Sequence, residues 1–346
     1  THVIDFFADE DTVESTLSNH SVTGFSGGNN PEALIDIAAE YESNNPNLSM
    51  LIGSGFEECP ELLAQLEQRF SVIGNHSSVV RQLKDPTTFF EKLEELALPY
   101  PDYFTSVDDT TQGDFLIKTV GGVGGGHVRH YKNDQSLVAT SYLQALLGGK
   151  NYSATFIADG QSFYVLGFNE TWVCKENNNF TFAGAVSNVN LSNELCQQVI
   201  AAIRQLVIVF ELKGLCSVDF IIEESGQYFI LEVNPRPTAT FELYETKQSL
   251  FAQHIAAFRG EMTKPELDQS QSRALGLLYA GESITIPRRD WPQWVTDRPK
   301  AGKQIAKGEP VCTVHAEGLS VKNVKQQLKT RLTTLRESLG LSVEAA

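Results

Sequence analysis

Positive charge is scarce in this sequence. Lys and Arg total 27 against 43 Asp and Glu, a formal net charge of −16. That balance argues against a sequence-independent grip on nucleic acid, which needs a basic footprint to displace counterions. It also sets a local requirement: any anionic ligand must be met by a deliberate cluster of Lys, Arg or backbone N–H groups. Long apolar runs are missing too, and none approaches the ~20 residues that span a bilayer. No membrane partner is expected. The opening residues Thr1-His2-Val3-Ile4-Asp5-Phe6-Phe7 lack the basic region and apolar stretch of a signal peptide, so the cytoplasm is the expected location. Cysteine is sparse: Cys59, Cys174, Cys196, Cys216 and Cys312, with no CxxC pair and an odd total. Reduced, mostly buried thiols are expected, and neither a zinc site nor a Cys nucleophile is indicated. There is no internal repeat or low-complexity tract. A P-loop ending in GK[ST] is absent, and a GxGxxG fingerprint would need Gly where His127 stands.

What is present is ordinary globular composition, 41% hydrophobic and 20% charged over 346 residues, enough for two or three packed units. Residues 1–80 alternate short apolar runs (Val3 to Phe7, Val22 to Phe25, Met50 to Ile52, Phe70 to Ile73) with helical patterns at Pro31 to Tyr41 and Pro60 to Phe70. Each helix has Pro near its start, and the alternation predicts a small, mostly parallel sheet. Ser78 to Leu96 reads as a longer helical region ended by Leu98-Pro99-Tyr100-Pro101. A β-rich stretch with a glycine cluster follows, then an amphipathic helix at Leu191 to Phe210, two strong strands, and a helix at Gln248 to Phe258. From about 263 the texture changes to Pro/Gly-punctuated strands and a polar helix near Val321 to Leu339, read as a separate C-terminal unit.

The two strong strands are the most informative segment. Ser217 to Ile222 and Tyr228 to Val233 flank Ser225-Gly226, a plausible two-residue hairpin loop. Glu224 then pairs with Gln227, and counting back sets Asp219 opposite Glu232, on one face of the ribbon. Asn234, two positions on, projects to the same face. Opposed carboxylates in an apolar ribbon require a proton or a cation between them. Two carboxylates and an amide oxygen make a hard oxygen set suited to Mg²⁺. The plainer alternative is a solvated edge on which each acid caps a loop.

A second segment concerns phosphate. Asp114-Phe115-Leu116-Ile117-Lys118-Thr119-Val120 reads as a strand with a lysine near its end, leading into Gly121-Gly122-Val123-Gly124-Gly125-Gly126-His127. Such a loop lets several N–H groups converge on an anion. The strand-like Val128-Arg129-His130-Tyr131 that follows makes it a flap within a hairpin. An unpaired lysine in an apolar strand is costly unless it meets a charge. Lys84, in Arg81-Gln82-Leu83-Lys84-Asp85-Pro86, reads on its own as a solvated surface lysine.

In this order, Lys84, Lys118 with Gly121 to Gly126, and Asp219 with Glu232-Val233-Asn234-Pro235-Arg236-Pro237 resemble the ATP-grasp family, most closely over residues 80–260. The resemblance implies an α/β and α+β architecture. Its parts are an N-terminal α/β domain (1–80), a small lobe with the glycine flap (81–148), a large lobe with the metal hairpin (149–262) and a β-rich C-terminal unit with its helix (263–346). It implies an ADP-forming ligase that joins a small-molecule carboxylate to an amine through an acyl-phosphate, with ATP and Mg²⁺ (or Mn²⁺) as cofactors. Lys84, Lys118 and the flap glycines Gly122, Gly124, Gly125 and Gly126 would meet the phosphates. Gln144, Ala145, Leu146, Leu147 and Asn151 would meet the nucleoside. Asp219, Glu232 and Asn234 would hold metal, and Arg236 and Lys118 would act in catalysis. The sequence departs from the pattern at Gln144 and Asn151, where many members carry Glu. A homodimer is common among such folds. Thr240-Phe241-Glu242-Leu243-Tyr244-Glu245 and His254 further resemble the tyramine–glutamate ligase subgroup of one-carbon metabolism; His254 reads as structural, and Glu242 is a guess for the base. The alternatives are a carboxylase of biotin-carboxylase type, a kinase, or a nucleotide-binding regulatory protein without turnover.

Overall fold

The computed structural model describes residues 1–22, 31–107, 113–132, 137–174, 180–245, 248–268 and 270–341. Its largest element is an eight-stranded sheet. In spatial order the strands are Tyr228–Asn234, Lys213–Ile222, Lys150–Asp159, Phe163–Cys174, Thr181–Ser187, Ser272–Tyr279, Pro310–Gly318 and Val295–Thr296. Every pairing within it is antiparallel. The sheet does not stop near residue 263: Ser272–Tyr279 pairs directly with Thr181–Ser187, so the C-terminal strands extend the sheet that carries the acidic ribbon. The terminal helix Val321–Ser338 buries Val324, Leu328 and Leu335 in the core formed with those strands.

A second sheet has four antiparallel strands in the order Tyr103–Phe104, Ser141–Ala145, Phe115–Thr119 and Arg129–His130. The glycine loop joins the last two, so it sits in a hairpin as the sequence predicts.

The N-terminal strands are less unified than expected. His2–Asp5 pairs in parallel with Ser18–Ser21, and Ser49–Leu51 in parallel with Ser71–Ile73, as two separate ribbons among the described residues. The strand here is Ser18–Ser21, ahead of the one expected at Val22 to Phe25: Val22 follows it outside any strand, and residues 23–25 lie outside the described residues. The helices Pro31–Asn44 and Pro60–Arg69 form near their expected positions.

The expected helical region Ser78 to Leu96 is two helices, Ser77–Lys84 and Pro86–Glu95. The residue before a proline is pushed out of the helical region. Asp85 accordingly leaves the first helix and caps the second, its carboxylate accepting from the Thr88 N–H at 2.8 Å. The break has a structural consequence. Leu83, Phe89, Phe90 and Leu93 drive into one core with Ile203 and Leu206 of helix Asn193–Phe210 and with Val218 and Ile230 of the acidic ribbon. Burial of each such side chain contributes about 1.5–3 kcal/mol. That packing carries Lys84, at the end of the first helix, to the acidic ribbon. Among the cysteines, Cys216 and Cys312 are buried and Cys59, Cys174 and Cys196 half-buried. Among the described residues no helix is long and apolar enough to cross a membrane.

Candidate active site

Asp219 stands opposite Glu232, and Ser217 opposite Asn234. The loop reaches that register by a different route from the expected one. The Glu223 N–H donates to the Gln227 carbonyl at 3.0 Å, and the Gly226 N–H to the Glu223 carbonyl at 2.9 Å. The loop is thus one residue longer than Ser225-Gly226, and an irregularity between Asp219 and Phe220 restores the count.

The acidic face holds a cation of its own. Lys84 Nζ lies 3.3 Å from Glu232 Oε2 and 3.2 Å from Asn234 Oδ1. The amide's other end, Asn234 Nδ2, donates to Asp219 Oδ2 at 3.0 Å. Lys84 is therefore not the solvated surface lysine its local sequence suggests: its side chain is 7% exposed, and burial of an ammonium demands such partners. Burial, then the facing Glu232, pushes the Asp219 carboxyl well above its ordinary value. Burial acts on Glu232 in the same direction, but Lys84 and Lys118 outweigh it and bring that carboxyl down to about 2. One acid of the pair is thus biased toward its proton and the other toward its charge.

Lys118, half-buried at the end of its strand, has its ammonium pKa lowered by burial against the opposing pull of Glu232. Lys84, Lys118, Gly121, Gly122, Gly125, His127 and Glu232 line one cleft that opens to solvent. Of the residues expected to hold metal, Glu232 lines this cleft with Lys84, Lys118, Gly122 and Gly125, and Asp219 and Asn234 join it through the hydrogen bonds of Asn234. Gly125, at φ +76°, passes so close to strand Thr181–Ser187 that a Cβ would lie 2.0 Å from the Phe180 carbonyl oxygen. Gly124 lies at φ +69° with nothing within 4 Å of such a Cβ. The Gly124 carbonyl accepts from the Phe182 N–H at 2.9 Å, so the loop rests on the large sheet. A side chain at Gly122 would strike the His127 ring at 2.4 Å. Burial, then Lys118, lowers the His127 pKa, and Nδ1 is buried without a partner.

The residues expected at the nucleoside sit outside this cleft. Gln144 is buried opposite Leu116 and Tyr103, its Nε2 without a partner. The Ala145 and Leu146 N–H groups are already given to Asp102 and Asp114 carbonyls, at 2.7 and 2.8 Å. Asn151 opens strand Lys150–Asp159, opposite Ile221.

Arg236 Nε donates to the buried carboxylate of Glu57, and its Nη1 to the Pro237 carbonyl at 3.2 Å. Burial raises the Glu57 carboxyl, yet Arg236 and Lys84 together outweigh it, and the net shift is downward. Sequence reasoning missed Glu57. Its one local signal is an acid that ends the Ser54-Gly55-Phe56-Glu57 turn, where the Gly55 N–H donates to its Oε2 at 2.9 Å. It also missed Asn75, which donates to the Lys213 and Pro235 carbonyls at 2.8 Å each and fastens the N-terminal unit to the ribbon. Glu242 lies elsewhere, on a 3-10 turn 4.0 Å from His315, with burial and then Asp297 raising it to about 7.

Among the described residues no three His, Cys, Asp or Glu side chains form a metal cage. The available oxygen set is two carboxylates and one amide, and it already gathers a cation, Lys84, on Glu232 and Asn234. That set fits Mg²⁺, which takes few protein oxygens and keeps water and phosphate oxygens for the rest.

Residues 83–240 match the ATP-grasp domain family. An uncharacterized protein of Methanocaldococcus jannaschii is 27% identical over 268 residues, 71% of this chain, which spans 64% of that protein's length. Three solved structures are similar along nearly the whole chain. The biotin carboxylase domain of Hydrogenobacter thermophilus 2-oxoglutarate carboxylase, a dimer with MgADP, ADP and bicarbonate, has a TM-score of 0.75 at 15% identity, covering 96% of this chain and 84% of that one. L-amino acid ligase from Bacillus licheniformis has 0.74 at 11%, covering 96% of each. N5-carboxyaminoimidazole synthetase from Staphylococcus aureus, with ADP, has 0.67 at 14%, covering 96% and 90%. The fold is the ATP-grasp fold.

Proposed function

From the premise that residues 83–240 form an ATP-grasp domain, we propose that this chain is an ADP-forming ligase that joins a carboxylate to an amine. The observation that carries the reading is that Lys84 bonds Glu232 and Asn234, Asn234 bonds Asp219, and Lys84 and Glu232 line one cleft with Lys118 and the glycine loop. A carboxylate is a poor electrophile, so it must first gain a leaving group. One of its oxygens forms a bond to the γ-phosphorus of ATP while the β–γ bridging bond breaks, and ADP leaves with that electron pair. The amine then forms the C–N bond, the C–O bond to phosphate breaks, and inorganic phosphate departs as the nitrogen loses a proton.

Catalysis of the first step is positioning and charge neutralisation. Asp219, Glu232 and Asn234 would hold Mg²⁺, which when bound supplies charge neutralisation at the phosphate oxygens. Lys84 would give up its contacts with Glu232 and Asn234 and turn to phosphate oxygens with Lys118. Arg236, held by Glu57, would offset charge developing at the acyl-phosphate. The glycine loop, seated on strand Thr181–Ser187, would keep water from the anhydride. Ala145 to Leu147, Gln144 and Asn151 would take the nucleoside. A cytoplasmic homodimer with a role in one-carbon metabolism is part of the same reading.

A carboxylase reading draws support from the whole-chain likeness to the biotin carboxylase domain. One experiment separates the two: a pooled screen of acids and amines for ADP release with Mg²⁺, followed by product mass. Release that needs both an acid and an amine supports the ligase. Release that needs bicarbonate supports the carboxylase.

A further inference from the structure

Asp219 has a polar neighbour on each side of its strand. Glu232 faces it from the ribbon, and Ser153, on strand Lys150–Asp159, faces it from the other side. Asn169, on strand Phe163–Cys174, stands opposite Ser153 in turn. Directly opposed residues share a face of a sheet, so Glu232, Asp219, Ser153 and Asn169 make one polar row across four strands. Ser153 is 1% exposed and Asn169 0%. Polar side chains buried this deeply need partners to offset their lost hydration, a need that an apolar residue in the same place would not have.

The partners are present, and they run in one direction. The Tyr244 hydroxyl donates to Asn169 Oδ1 at 2.7 Å. Gly167 makes room for the tyrosine, since a Cβ there would lie 2.5 Å from its hydroxyl oxygen. Asn169 Nδ2 donates to Ser153 Oγ at 3.1 Å and to Thr155 Oγ1 at 3.0 Å. The Thr155 branch continues to Thr240 at 2.9 Å and from there to Thr238 at 3.0 Å. The Ser153 branch has no such continuation. Its oxygen accepts from Asn169, and its own hydrogen meets no acceptor among the described residues. What stands across the ladder from that hydroxyl is the Asp219 carboxylate, at a Cβ separation of about 5 Å. Asp219 Oδ2 takes one hydrogen from Asn234 Nδ2 at 3.0 Å, and an ionised carboxylate can accept more than one.

We propose that Ser153 is a positioning residue for the metal ligand Asp219: its hydroxyl, oriented through Asn169 by Tyr244, donates to the Asp219 carboxylate and fixes the orientation in which that carboxylate meets a divalent ion. This rests on the reading of Asp219 as a metal ligand. Partners that stand behind a metal ligand set metal affinity by about 10–100-fold, and a charged acceptor strengthens the hydrogen bond involved.

Ser153 and Thr155 form a matched pair. Each takes a hydrogen bond from the same amide, and each is 1% exposed. Ser153→Ala and Thr155→Val both leave an Asn169 hydrogen unpaired, so a network with a structural role alone would respond alike to the two. The readout is Mn²⁺ affinity of the full-length protein in the presence of ADP, followed by electron paramagnetic resonance, with ADP affinity in the absence of metal and thermal unfolding measured beside it. The proposal expects Mn²⁺ affinity to fall about tenfold or more in Ser153→Ala while metal-free ADP affinity stays within about threefold of the parent. Ser153→Thr, which keeps the hydroxyl, and Thr155→Val should both hold Mn²⁺ within about threefold of the parent. Should Ser153→Ala not fold, Ser153→Cys keeps its shape with a weaker donor and must show the loss of Mn²⁺ affinity instead. Unchanged Mn²⁺ affinity on loss of the Ser153 hydroxyl, or equal weakening in Ser153→Ala and Thr155→Val, would overturn the proposal. A parent protein that binds no Mn²⁺ with ADP would remove the metal assignment itself, and the role of Ser153 with it.

Discussion

Lys84 donates to Glu232 at 3.3 Å across 148 positions of sequence, in the place where the proposed mechanism needs a metal ion. The ammonium balances an acidic face that would otherwise repel itself. Lys84→Met should therefore destabilise the metal-free protein. Loss of one partner of a fully buried pair costs about 3–5 kcal/mol. Glu232 is 40% exposed, so solvent screening reduces the expected loss to about 2 kcal/mol. Thermal unfolding checks this, and added Mg²⁺ should restore more stability in Lys84→Met than in the parent.

The glycine loop offers a comparison between two adjacent residues. Gly124→Ala meets only the strain of a positive φ, whereas Gly125→Ala adds a methyl 2.0 Å from the Phe180 carbonyl oxygen. Gly125→Ala should unseat the loop and lower ADP release about a hundredfold, with nucleotide hydrolysis by water rising relative to product. Gly124→Ala should lose less than tenfold. Equal effects would show that the contact with strand Thr181–Ser187 does not matter.

Much of this site is legible in the sequence, for physical reasons. The strands around Asp219 and Glu232 are apolar and β-branched, which fixes their extent. The register comes out right because a longer loop and a compensating irregularity cancel. Lys118 and the glycines are contiguous, so they travel together. The rest depends on contacts distant in sequence: Lys84 looks like any helix-surface lysine until Leu83 and Phe89 pull it inward. Glu57 and Asn75 meet Arg236 and Pro235 across 179 and 160 positions, and no local pattern encodes such meetings. Pro86 did carry a local signal, the helix break at Asp85, and a continuous reading from Ser78 to Leu96 passes over it.

Glu57 gives a pH prediction with a definite sign. Its carboxyl is shifted below its ordinary 4.5, the pull of Arg236 and Lys84 exceeding the push of burial. The ionised form is favoured by folding, so the contribution is fully present above the unfolded-state value and is lost as pH falls through the lower folded-state value. Glu57→Gln should remove about 3 kcal/mol at pH 7 and flatten the acid limb of a stability–pH profile. An unchanged limb would mean that Glu57 and Arg236 are not paired in solution.

The central claim is that Asp219, Glu232 and Asn234 hold a divalent ion that presents ATP to Lys118 and the glycine loop. Mn²⁺ binding followed by electron paramagnetic resonance, in the presence of ADP, tests it most directly when the parent is compared with Glu232→Gln. The account predicts a saturable bound-Mn²⁺ signal in the parent. In a variant that keeps its far-UV circular dichroism, affinity should fall about a hundredfold and Mg²⁺-dependent ADP release should disappear. Equal Mn²⁺ affinity in the two proteins would contradict it.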